Sequence, residues 1–205
     1  MEPDIKNFMQ MQLFALRFNG GVSFDEFMQK CVEYNLPVLF AYSQFSSTPE
    51  QERFTAVFLN DVSVEQPKAA EIMLDALLVI FPEADPRCKD VCQIYFGGKR
   101  LLHFDESMPT INIEFLIRNM CLYLKDRYGD NYKRKVIEFF DRTGVALTDK
   151  KMLDVSVVEP LKAFESIRNE SLSPMSNVIY IIENGSYFRV RRTRNYLLHK
   201  AERTI

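Results

Sequence analysis

Apolar residues recur along this chain in two periods, and the switches between them mark out its elements. Residues 11–18 (MQLFALRF) read as a short strand running into Asn19-Gly20-Gly21. Ser23 follows as a helix N-cap, and Glu26, three residues on, completes a capping box. The helix behind it runs to about Tyr34, with Phe24, Phe27, Met28 and Cys31 on one face. Residues 36–45 form a second predicted strand, residues 46–52 a turn broken by Pro49, and residues 53–60 a third strand. Phe54, Val57 and Leu59 do not alternate strictly, so this third strand is expected to be covered on both faces. A helix then starts at Pro67, whose missing N–H is harmless in a first turn, and stops before Pro82. Its apolar positions are Ala70, Met73, Leu74, Leu77, Leu78 and Phe81.

Residues 82–92 read as a loop, and residues 93–102 as a strand interrupted by Gly97-Gly98. Two amphipathic helices follow, over residues 111–129 and 132–144, each closed by a glycine at the C′ position. The order strand–helix–strand–strand–helix–strand predicts an α+β fold with helices on one face of a sheet. Residues 177–192 predict a β-hairpin around a type I′ turn at Asn184-Gly185, and the last residues a short helix. The expected organisation is an α+β domain over residues 1–130, a helical connector over 131–176, and a hairpin with tail over 177–205.

The tail changes the charge picture. The whole chain of 205 residues carries a net charge of −2, so no global field draws it onto nucleic acid. From Ser186 onward, however, Arg189, Arg191, Arg192, Arg194, Lys200 and Arg203 stand against Glu202 alone. In a strand Arg189 and Arg191 share one face and Phe188 and Val190 the other, a ribbon suited to a phosphate backbone or an acidic partner. With 47% hydrophobic and 26% charged residues the composition is that of a folded domain. Cys88 and Cys92 have no nearby Cys/His pair to complete a zinc site, so the four cysteines read as reduced thiols. His103 and His199 read as polar surface residues, which leaves little room for histidine catalysis. The acidic N-terminus lacks a signal-peptide core and the longest apolar run, residues 76–81, is too short for a bilayer. The expectation is a cytoplasmic protein without a membrane partner.

Residues 42–102 carry a resemblance. The stretch YSQFSSTPEQERFTAVFLND, then a helix, then IFPEADPRCKDVCQIYFGGKRLL, resembles the archaeo-eukaryotic primase-polymerase superfamily. The relatives it is most similar to are primase domains of plasmids, phages and integrative elements of Gram-positive bacteria. The resemblance covers residues 11–125 and implies an RRM-like, primase-polymerase-type mixed sheet. It also implies a metal site built from two acids at i and i+2, a spacing that in a strand puts both on one face. Such carboxylates hold the divalent ions that align a nucleotide and a primer end. A serine–histidine step on phosphates and a further acid complete that family's motifs.

Here the positions of the two acids are taken by Arg17 and Asn19. An arginine repels a metal cation, and an asparagine offers one neutral oxygen. The serine–histidine step reads Ser46-Ser47-Thr48, without histidine, and Asp90 stands where the further acid is expected. The resemblance therefore implies degenerate catalytic positions at Arg17, Asn19, Ser47 and Asp90, and no confident metal ligand. Mg²⁺ or Mn²⁺ is expected only if a displaced site uses Asp25, Asp61 or Asp90. Asp85 and Asp90, in a proline-bounded loop, otherwise read as solvated or capping acids. Lys99 and Arg100 follow a glycine pair that lacks the P-loop spacing; they join Arg189, Arg191, Arg192 and Arg194 as candidate binding residues.

The leading expectation is a degenerate primase-like protein of a mobile element. It would act by binding single-stranded or primed DNA, or a nucleic-acid-processing protein. The alternatives are an active primase or polymerase for plasmid or phage replication, and an inhibitor of a host defence complex such as a CRISPR effector.

Overall fold

The computed structural model describes residues 5–144 and, as backbone, the strands at 178–183, 186–191 and 202–203. The elements run β1 (Met11–Phe18), α1 (Phe24–Glu33), β2 (Phe40–Gln44), β3 (Phe54–Val64), α2 (Pro67–Ile80), β4 (Gly98–Phe104), α3 (Ile113–Tyr128) and α4 (Tyr132–Thr143). The four strands form one sheet in the order β1-β3-β2-β4, and every neighbouring pair is antiparallel. The sheet is therefore not mixed. β1 and β2 point the same way, but the α1 crossover leaves a gap one strand wide, which the hairpin partner β3 fills. The parallel contact seen among the described residues is a lone bridge between Asn60 and Ile111.

Local signals set the element ends. The Ser23 hydroxyl accepts from the Glu26 N–H while the Glu26 carboxylate accepts from the Ser23 N–H, so both bonds of the capping box form. Pro67 opens α2, and Gly144 closes α4 in the left-handed region at φ 70°. Phe14, Leu16 and Phe18 of β1, Ala41 of β2, and Phe54, Ala56 and Phe58 of β3 all point to the helices and join one buried cluster with them. Phe18 stacks on Phe54 with ring centroids 4.5 Å apart, and Phe27 bridges to Phe81 at 5.0 Å. Rings buried this deeply each cost about 3–5 kcal/mol to truncate to alanine, so this face fixes the register of the sheet. Thr55 and Val57, on the other face of β3, are buried too, as the non-alternating pattern of that strand requires.

Several expectations need correction. Residues 36–38 are apolar because they are buried in the approach to β2, which starts only at Phe40. β3 runs on to Val64. The strand expected from residue 93 starts at Gly98, and the residues before it take a different path described below. His103 is not a surface residue. It points to the helix side of β4, its Nε2 lies 3.1 Å from the Val38 carbonyl oxygen, and burial lowers its pKa. α4, expected within a connector, buries Tyr132, Val136, Phe139 and Phe140 in the same core as the sheet.

Farther on, β5 (Val178–Glu183) pairs antiparallel with β6 (Ser186–Arg191), and β7 (Glu202–Arg203) pairs with β6 where a helix was expected. The Asn184-Gly185 turn, the boundary at residues 170–177, Arg192, Arg194, His199 and the side chains of Arg189 and Arg191 lie outside the described residues. Among the described residues no helix is long and apolar enough to cross a membrane.

Gly98 shows how tightly β4 sits on β2. A Cβ there would overlap the Ser43 carbonyl oxygen, whereas one on Gly97 meets nothing within 4 Å. Gly98→Ala should lower the free energy of unfolding by about 2 kcal/mol or more, and Gly97→Ala should change it by less than about 0.5 kcal/mol. Urea titrations of the two variants check this; equal midpoints would contradict the close β2–β4 approach.

Candidate functional site

Among the described residues β1 is an edge strand, so its outer N–H and C=O groups need partners that no described strand supplies. The segment between α2 and β4 supplies them. The Asp85 N–H donates to the Arg17 carbonyl oxygen at 2.7 Å, the Arg17 N–H donates to Cys88 Sγ at 3.2 Å, and Tyr95 Oη donates to the Ala15 carbonyl oxygen at 2.7 Å. Residues 85–97 thus form a strap along β1. Burial and the neighbouring Cys88 raise the Tyr95 hydroxyl well above its ordinary pKa, so it stays a neutral donor.

The strap then crosses the face of the sheet opposite the phenylalanine core. On that face Arg17, Thr55, Tyr42 and Leu101 stand opposite one another in a row across the four strands. The Arg17 guanidinium donates from Nη2 to the Ile94 carbonyl oxygen at 2.9 Å and lies 5.3 Å from the Tyr95 ring centroid. From the other side Tyr42 Oη donates to the Phe96 carbonyl oxygen at 2.8 Å. Arg17 is therefore a strap anchor, occupied by a carbonyl and a ring. This is the position where the resemblance implied a metal-binding acid.

Asn19 is anchored at the same strap. It lies just past the end of β1, exposed, and its Nδ2 donates to Asp85 Oδ2 at 3.0 Å. Asp85 caps the short 3₁₀ turn Pro86–Lys89 and also takes three side-chain contacts from Arg87, the shortest at 2.7 Å. The Arg87 hydrogen bonds come first, with help from Asn19, and they hold the buried Asp85 carboxyl at about 2 against the upward push of burial. Every oxygen of Asp85 is spoken for. Asp90 accepts from the Cys92 N–H at 2.9 Å, so both loop acids cap turns.

The remaining sequence candidates scatter. Asp25 sits in the first turn of α1, near the Phe18 end of β1, while Asp61 lies seven residues along β3 from Phe54, about 23 Å away at strand rise. A site shared by Asp25 and Asp61 does not form. Among the described residues no group of three His, Cys, Asp or Glu side chains is arranged to hold a metal ion. Ser47 closes the β2–β3 connection: its Oγ accepts from the Arg53 N–H at 3.0 Å, and its carbonyl oxygen accepts from Lys99 Nζ at 3.3 Å. Arg100, paired with Ser43, stands on the opposite side of the sheet from Tyr42.

Beyond the strap this face of the sheet is partly open. Met11, Leu13, Ala15, Phe40, Tyr42 and Val57 line a groove of about 290 Å³, to which α2 contributes Leu74 and the strap contributes Asp90, Gln93 and Tyr95. Phe40 and Tyr42 stack along β2 with centroids 6.3 Å apart, and Leu13 and Phe96 are 48% and 75% exposed. The sequence did not single out Phe40, Leu13 or Tyr95. Their signal is the outward position in each strand, legible only once the helix face is known. The fold and site thus define an α+β protein with a strapped antiparallel sheet and an apolar groove. No protein-family model, no curated protein and no solved structure matches the chain.

The Asp85 cluster generates a pH prediction. A carboxyl depressed in the folded state stabilises above its ordinary pKa, and that stabilisation drains away as pH falls from about 4 to about 2. Arg87 is 73% exposed, so solvent screens the pair and the contribution is on the order of 1 kcal/mol. Asp85→Asn should be less stable than wild type at pH 7, and the gap should close by pH 2. Thermal melts across that range check it; a pH-independent gap would assign the loss to packing.

Proposed function

We propose that this chain is a non-catalytic relative of primase-polymerases that acts as a binding protein. Its apolar groove takes an apolar segment of a nucleic-acid-processing protein. One observation carries this reading: the strap that Arg17, Tyr42 and Tyr95 anchor lies over the place where the resemblance implies catalytic acids, and beside it an apolar groove stays open. The RRM-like form of the fold belongs to the same proposal. The split β1-β3-β2 arrangement supports it, whereas β4 beside β2, with β1 left at the edge, departs from the RRM order.

The groove's chemistry favours protein over nucleic acid. Asp90 is the charged residue among its lining, and a carboxylate beside the groove opposes phosphates. Large half-exposed apolar and aromatic side chains in a rimmed depression suit an apolar anchor. A second reading rests on the stacked Phe40 and Tyr42, since ring pairs on an open sheet also stack bases. The basic alternation of the tail, Arg189, Arg191, Arg192 and Arg194, would supply the phosphate contacts there.

Primer-extension assays with Mg²⁺ or Mn²⁺, a primed template and all four nucleotides should yield no product. Extension that vanishes in Asp90→Ala would overturn the non-catalytic reading. Leu13→Arg, at a half-exposed groove position, should leave the fold intact and abolish capture of a partner from host lysate that survives nuclease treatment. If capture is lost to nuclease instead, the second reading gains. Single-stranded DNA affinity should then fall steeply with salt and disappear when Arg189, Arg191 and Arg192 become glutamates.

A further inference from the structure

A second concavity of about 320 Å³ lies in the helix layer, between the C-terminal ends of α2 and α3 and one side of α4. Its walls are apolar and aromatic: Leu78, Val79, Pro82, Leu124, Phe139 and the rings of Tyr123 and Tyr128. Its charged lining is Arg127, Lys135, Arg142 and Glu138. Glu138 is already neutralised, since Lys135 Nζ donates to it at 2.7 Å and Arg134 reaches it at 3.5 Å, and these partners depress its pKa.

The two guanidiniums have no such partner. Among the described residues neither Arg127 nor Arg142 forms an ion pair. Arg127 Nη1 donates to Tyr123 Oη at 2.6 Å and its guanidinium carbon lies 6.0 Å from both the Tyr123 and Tyr128 centroids. Arg142 stands 5.6 Å over the Phe139 ring. Glu83 is engaged by Lys30 at 3.2 Å and is the weakest of the influences on Arg127. Both arginines sit in the last turns of their helices, where a cation eases the helix dipole. That explains one cation per helix end. It does not explain why two helix ends and Lys135 converge on one aromatic-walled cavity.

The geometry points to a binding site for a small phosphate-bearing molecule with a planar ring, in the simplest case a mononucleotide. Paired arginines match phosphate oxygens through their forked donors, and the 41% exposed ring of Tyr128 offers a planar apolar surface beside them. The volume is at the lower end of small-molecule sites, about 300–1,000 Å³, which admits one such molecule. The site is independent of the groove on the sheet.

Calorimetric titration of the full chain tests it with AMP, inorganic phosphate and adenosine as probes. AMP should bind more tightly than phosphate, and adenosine more weakly than AMP. Arg127→Ala combined with Arg142→Ala should weaken AMP at least tenfold while the far-UV circular dichroism stays unchanged, because both side chains are at the surface. Leu13→Arg, in the other groove, should leave AMP binding as in wild type. Failure of both AMP and phosphate to bind at millimolar concentration would overturn the site, as would equal AMP affinity in the double variant. Equal affinity for AMP and phosphate would overturn the role of the ring.

Discussion

Among the described residues β1 is hydrogen-bonded to a strand on one side only, and that single constraint organises the rest of the molecule. An open strand edge exposes a row of donors and acceptors that invites foreign pairing. The chain answers with its own residues 85–97. Because these groups run along β1, they must do so without regular strand geometry, and side chains take over what a neighbouring ladder would do: a thiol accepts, a phenol donates, and one amide of the 3₁₀ turn completes the set. Everything at the candidate site follows from where this strap must go. It begins where Asp85 meets Asn19, and it crosses the sheet where Arg17 and Tyr42 can hold its carbonyls.

The strap also decides how the sheet's two faces differ. On the helix side, phenylalanines from β1, β3 and α1 interlock in one buried cluster. On the other side Thr55 is buried by the strap row, whereas Phe40 and Leu13, one or two rows away, remain open. On that face Thr55 and Val57 are buried, whereas Leu13 is exposed and Met11 half-buried.

Much of the fold was legible because its signals are local. The capping box at Ser23, Pro67 at a helix start, and Gly129 and Gly144 at helix ends each act within one turn of chain. β1 was legible to the residue because its alternation ends at an Asn-Gly-Gly turn. The misreadings share the opposite cause. Residues 36–38 and 93–97 are apolar or aromatic for tertiary reasons, the first to fill the core beside α1, the second to reach Ala15 and Arg17 across the fold. No local pattern separates such residues from strand. His103 was misassigned because its partner, the Val38 carbonyl, lies 65 positions away in sequence. At the site, Arg17 and Asn19 each bond a residue of the strap, Ile94 and Asp85. The sequence hints at that partner only through the acid of Asp85 and the ring of Tyr95.

An arginine at position 17 is therefore informative in a way that a neutral residue would not be. A leucine or serine there would leave the row beside Thr55 without charge and the strap without one of its anchors. A carboxylate would repel the Ile94 carbonyl oxygen that Arg17 now holds, so an acid at this position and a strap in this place are incompatible without a cation between them. Covering the edge of β1 in this manner and presenting an acid pair on the same strand end are competing uses of one surface. In this chain Asn19 and Asp85 take the same side of that competition: the Asp85 carboxylate is buried, paired with Arg87, and stabilises the strap.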